Sequence, residues 1–164
     1  MTDYFTGALK DIPDSRDYPF KDSPIGVKAA KLATLPENSM GLMPYLPPAF
    51  NQLSIGSCVA ASHVSHRELL VRLLDPKTTV RYSPLYAYYR GRQIMGTLGQ
   101  DSGLYPRDCM KAMSTWGVPQ ADDWPYDIAK YNDAPPPDAD ADARGKRISA
   151  YYRLETQTIE GMQE

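Results

Sequence analysis

Chemistry in this chain is concentrated around one cysteine and one glutamine. Cys58 ends the stretch Pro47-Pro48-Ala49-Phe50-Asn51-Gln52-Leu53-Ser54-Ile55-Gly56-Ser57-Cys58, and residues 59–74 after it contain neither proline nor glycine. That pattern predicts a helix opening at Cys58. A thiol in the first turn of a helix sits at the positive end of the helix dipole, beside N–H groups with no acceptor inside the helix. Both effects favour the thiolate, the nucleophilic form of sulfur. Gln52 precedes Cys58 by six residues. Its amide can donate to the same point as the Cys58 N–H, and two donors aimed at one oxygen form an oxyanion hole for acyl transfer.

The other reactive side chains fit this site less well. His63 and His66 lie on the same expected helix as Cys58. A rotation of about 100° per residue turns His63 away from the thiol, and His66 lies about 12 Å along the axis. They are read as packing or surface histidines. The second cysteine, Cys109, falls on an apolar face and is read as a small buried hydrophobe. Two cysteines and two histidines supply neither a disulfide framework nor a zinc ligand set, so no metal and no cofactor is expected.

The elements that must hold these residues can be read in order. Residues 1–46 form a proline-punctuated N-terminal arm, expected to pack through Tyr4, Phe5, Tyr18 and Phe20. Residues 47–126 form a helical subdomain bearing Cys58. Its first helix ends at Asp75-Pro76, and the apolar surface of Leu69, Leu70, Val71, Leu73 and Leu74 predicts a buried end. Ser83-Pro84 starts the next helix, with serine as N-cap and proline at the first position. A glycine-bearing loop, 96–103, follows. Pro106 opens a third helix that Gly117 ends. Residues 127–147 are a composition shift, with triproline and an aspartate–alanine alternation that predict an extended, solvated surface loop. Residues 148–154 have strand propensity, and 158–164 begin what reads as a helix.

Gln52-Leu53-Ser54-Ile55-Gly56-Ser57-Cys58-Val59 resembles the Gln-Gly-x-Cys-Gly-Ser-Cys-Trp motif of papain-like (C1) cysteine peptidases. Leu53 stands where glycine is usual, Ile55 where many members carry a disulfide cysteine, and Val59 where tryptophan is usual. This pattern is more similar to bacterial or viral relatives. Further similar segments are Asp11-Ile12-Pro13-Asp14-Ser15-Arg16-Asp17-Tyr18, Tyr82-Ser83-Pro84-Leu85-Tyr86-Ala87-Tyr88-Tyr89 and Trp124-Pro125-Tyr126. The resemblance implies an α+β, papain-like fold, represented here mainly by its helical left half, with the β-rich half largely missing. It implies Cys58 as nucleophile and Gln52 as oxyanion donor, with Gly56, Ser57 and Gly103 binding substrate. Gly103 would pair its backbone with an extended peptide; the bland alternative is an ordinary flexible turn.

Such an enzyme needs an imidazole as general base and a group to orient it. In papain-like enzymes these lie roughly 130–150 residues after the cysteine, near positions 188–208 in this numbering. The resemblance therefore covers about the first half of a family domain. Two functions stay open: the nucleophile-bearing half of a cysteine peptidase, or a catalytically inactive papain-like interaction module of a larger assembly such as a virion. The expected partners are a peptide or protein substrate and a second half, or another protein, covering an apolar face.

Composition limits the alternatives. The chain has 164 residues, is 42% hydrophobic and carries a formal net charge of -2. That is enough apolar material for a core and argues against nucleic-acid or polybasic membrane binding. No signal peptide and no membrane span is read, which gives an expectation of the cytoplasm or a virion.

Overall fold

The computed structural model describes residues 7–29 and 40–154. Five α-helices lie among them: α1 (Pro24–Ala29), α2 (Cys58–Leu74), α3 (Pro84–Met95), α4 (Pro106–Thr115) and α5 (Pro137–Arg144). Strand pairing among the described residues is limited to isolated bridges. The described residues divide into two units, 7–11 with 45–149 and 12–29 with 40–44 and 150–154.

In the first unit, α2, α3 and α4 pack on one another, and each starts where its local chemistry directs. Ser83 caps α3 by accepting the Tyr86 N–H at 3.2 Å, and Pro84 supplies a preset φ at the first position. Gly96, left-handed at φ 71°, closes that helix. Pro106 opens α4, and Gly117 at φ 85° turns the chain away beyond it. The core takes Val59, Ala60 and Val64 from α2, Leu85, Tyr86 and Tyr88 from α3, and Cys109 and Met113 from α4. Each large side chain among them contributes roughly 1.5–3 kcal/mol through removal from water. Glu68 of α2 is buried, where its carboxylate accepts the Tyr82 N–H at 2.9 Å and pairs with Arg81 at 2.8 Å. This ties α2 to the residues leading into α3.

Three expectations meet a different structure. The C-terminal end of α2 is not buried: Leu70, Leu73 and Leu74 are 49%, 41% and 88% exposed. The helix keeps its apolar ring, but among the described residues Val71 packs against the core while Leu70, Leu73 and Leu74 stay largely outside it. Residues 137–144, expected in an extended loop, form α5. Pro136 is extended, as triproline predicts, but Pro137 is then a favourable first helical residue. Asp138 and Asp140 fall in the first turn, where acidic groups suit the dipole. The aspartate–alanine alternation hides an i,i+4 pair, Ala139 and Ala143, which is fully buried. Residues 148–154 contribute a single parallel bridge, Arg153 to Pro19, rather than a strand. The helix expected at 158–164 and the residues Tyr4 and Phe5 lie outside the described residues.

The second unit is built on that bridge. Phe20 N–H donates to Arg153 O at 2.8 Å and Arg153 N–H to Tyr18 O at 3.0 Å. Tyr152 lies against Tyr18 and Phe20, with centroids 5.6 and 6.4 Å apart. Ser23, fully buried, accepts the Gly26 N–H at 2.9 Å and starts α1.

Candidate active site

Cys58 is the first residue of α2 and is half-buried. Ser57 precedes it as N-cap, and the Ser57 carbonyl accepts the Ala61 N–H at 2.9 Å, the first bond of the helix. The N–H groups of the opening turn thus face out of the positive end of the helix. The Ser57 hydroxyl does not cap the helix. It meets Tyr126 Oη at 2.6 Å, and the Tyr126 hydroxyl donates to Gln52 O at 2.8 Å. With its one proton so used, Tyr126 accepts from Ser57. Burial raises the Tyr126 phenol above its ordinary range, which keeps that donor protonated.

Gln52 is folded onto its own loop, with Nε2 donating to Ile55 O at 3.0 Å. One of the two amide protons is thereby placed and the other is left for a second acceptor. Leu53, at the glycine position of the papain-like motif it resembles, is at φ 57°. The motif's usual glycine thus matches a left-handed backbone position, which costs roughly 1–2 kcal/mol for a residue with a Cβ. The Asn51 side chain supports this turn by accepting the Leu53 N–H at 2.9 Å.

Gly56 donates its N–H to both carboxylate oxygens of Asp101, at 2.9 and 3.0 Å. The Tyr88 hydroxyl donates to the same carboxylate in a short hydrogen bond and accepts the Gly103 N–H at 3.2 Å. Burial, and then the bond to Asp101, raise the Tyr88 phenol far above its usual range. Gly103 is buried at φ 73°, and Gly7 packs on it backbone to backbone. Gly7 also packs on the Gly56 carbonyl, so Gly7, Gly56 and Gly103 form a three-way backbone junction. Leu104 extends it: its N–H donates to Gly7 O at 2.8 Å and its carbonyl accepts the Leu9 N–H at 3.0 Å.

The structure therefore brings Gly56 and Gly103 together and sets Ser57 and Cys58 directly after Gly56 in the chain. The Gly103 N–H is directed at Tyr88 and the Ser57 hydroxyl at Tyr126. Asp101, Tyr88, Tyr126 and Gly7 were not read as site residues from the sequence. Tyr88 sits in a tyrosine stripe that reads as core, and Asp101 is one acid in a glycine-bearing loop. His63 is engaged on its own helix, with Nδ1 2.7 Å from Val59 O, and burial lowers its pKa. Cys109 is fully buried, and burial pushes its thiol up to about 12. Among the described residues no three His, Cys, Asp or Glu side chains gather as a metal site.

No family model matches the chain. An uncharacterised peptidase C1-like protein of Acanthamoeba polyphaga mimivirus is 26% identical over 159 residues, which cover 91% of this chain and 51% of that protein. The crystal structure of xylellain, a cysteine protease from Xylella fastidiosa, matches with a TM-score of 0.71 and 24% identity, over 98% of this chain and 62% of that one. The chain spans about half the length of the curated relative it matches. The fold of the chain is papain-like, mainly its helical part with Cys58 at the start of α2, and its sequence is similar to that of a viral peptidase C1-like protein.

Proposed function

We propose that the chain is the nucleophile-bearing half of a cysteine peptidase. The observation that carries this reading is the position of Cys58, the half-buried first residue of α2, directly after a turn held by side-chain hydrogen bonds. In the proposed reaction the Cys58 thiolate attacks a peptide carbonyl carbon. The Cys58 N–H and the Gln52 amide hold the oxyanion that develops. An imidazole from outside the described residues takes the thiol proton and delivers it to the leaving amine, which departs as the acyl-enzyme forms. Water then releases the acid and the thiol. Neither His63 nor His66 serves as that base. The exposed end of α2, with Leu70, Leu73 and Leu74, supports a second half or partner protein covering an apolar face.

The test is iodoacetamide labelling of Cys58 across pH, with buried Cys109 as the unreactive internal control. A nucleophilic Cys58 labels faster than free cysteine at pH 6. Labelling no faster than free cysteine, with the second half supplied, removes the nucleophile role.

A second reading is favoured by the bonds already made within the site. The Gln52 amide donates to Ile55 O, the Gly103 N–H to Tyr88, and Gly7 and Leu9 occupy the backbone of Leu104. On this reading the chain is a catalytically inactive papain-like interaction module of a larger assembly, a virion among the candidates. Cys58→Ser separates the two: unchanged biological function supports the module, and loss of function with folding intact supports the enzyme.

A further inference from the structure

We propose that Asp101 is a positioning residue: its carboxylate, held by Tyr88, latches the Gly56 N–H and so fixes the turn that presents Cys58 and Gln52. The inference deepens the peptidase reading and rests on it only for the consequence at sulfur.

The latch is a chain of contacts running outward from a buried cation. Arg92 of α3 is fully buried, with Nη1 donating to Gln100 O and Asn132 Oδ1, each at 2.8 Å, and Nη2 donating to Tyr131 O. Its guanidinium lies 4.3 Å from the centre of the Tyr88 ring. Arg92 thus anchors the loop before Asp101 and the ring whose hydroxyl holds Asp101. The carboxylate spends one interaction on Tyr88 and both oxygens on the Gly56 N–H. A charged acceptor shared by a phenol and an amide is a stronger tie than a neutral one. The tie spans 45 residues of sequence and ends two residues before Cys58.

The experiment uses the full chain and four proteins: wild type, Asp101→Ala, Asp101→Asn and Tyr88→Phe. Amide exchange at Gly56 is read by NMR against the α4 amides of Ala112 and Met113. Loss of a charge-assisted bond predicts Gly56 exchange about tenfold faster or more in Asp101→Ala, with the α4 amides unchanged. Asp101→Asn, which keeps an acceptor, recovers most of the protection. Tyr88→Phe, which leaves Asp101 in place but unheld, falls between and carries the test if Asp101→Ala fails to fold. Gly56 exchange within twofold of wild type in every variant overturns the proposal.

The second readout is the rate of Cys58 alkylation at pH 6 in Asp101→Ala against Asp101→Asn. Both lack the negative charge, so the comparison isolates the latch. Expected is labelling about two- to fivefold slower in the alanine variant, the size of a helix-terminus effect. Equal rates overturn the positioning role. If the two variants differ while wild-type Cys58, with the second half supplied, labels no faster than free cysteine, the latch stands and the peptidase reading falls.

Discussion

The hydroxyls of Ser57 and Tyr126 lie 2.6 Å apart, and this bond joins the residue before Cys58 to a tyrosine 69 positions further on. Tyr126 uses the same oxygen to hold Gln52 O at 2.8 Å. Its ring meets Phe50 edge to face, with centroids 4.7 Å apart. Both ends of the turn that precedes Cys58 are therefore held by one side chain. Replacing Tyr126 with Phe keeps the ring and leaves the buried Ser57 hydroxyl and the Gln52 carbonyl without their partner. The expected loss is about 1–3 kcal/mol of stability, checked by urea unfolding. A loss below about 0.5 kcal/mol would show the staple to be idle.

The junction of Gly7, Gly56 and Gly103 gives a sharper test of sterics. Gly103→Ala places a methyl against the Gly7 backbone at a left-handed φ of 73°. Gly96→Ala is the control, because Gly96 has φ 71° but open space around it. The control carries only the conformational cost, roughly 1–2 kcal/mol. Gly103→Ala is expected to lose at least about 1 kcal/mol more, since the obstacle is backbone and cannot rotate away. Thermal unfolding of the two variants reads the difference. Equal losses would mean that the backbones do not approach so closely.

Leu53 offers a change in the opposite direction. Its φ of 57° is unfavourable for a side chain that is 53% exposed. Leu53→Gly relieves the strain and adds unfolded-state entropy, for a net gain of about 0.5–1 kcal/mol. The midpoint of chemical denaturation should rise, and a fall would show that the leucine packs on something that outweighs its strain.

Cys109 predicts an alkaline dependence. Its folded thiol is pushed up to about 12 by burial, whereas an unfolded thiol titrates near 8.5. Between those values the unfolded chain loses a proton that the folded chain keeps. The contribution is fully present below about pH 8.5 and is lost as the pH rises toward 12, at up to about 1.4 kcal/mol per unit for one proton. Cys109→Ala should lower stability at pH 7 through lost packing but flatten its fall between about pH 8.5 and 10. An unchanged slope would show that Cys109 is not the group responsible.

Much of the frame was legible because it is local. The Cys58 helix, the Ser83-Pro84 cap and the Pro106 start depend on neighbours within a turn, and all three formed where the sequence places them. The match to xylellain bears out the papain-like, mainly helical reading. What was not legible is tertiary. The apolar end of α2 reads as buried from its composition, but burial requires something to pack there. The alternating Asp138–Asp142 stretch reads as solvated at period two, and only its docked face reveals Ala139 and Ala143 as a helical pair. Asp101 and Tyr126 gain their meaning from contacts 45 and 69 residues away, which no local pattern encodes.

Gly7 packs on both Gly56 and Gly103, so the surroundings of Cys58 are drawn from pieces nearly a hundred positions apart. During synthesis the sulfur emerges long before Gly103 and Leu104 can join the earlier glycines. Until then the turn has no template to close on, and the thiol is carried on an unfinished chain. The order of arrival therefore makes the Cys58 end of α2 a late assembly, settled only after the ribosome has passed the 96–104 loop.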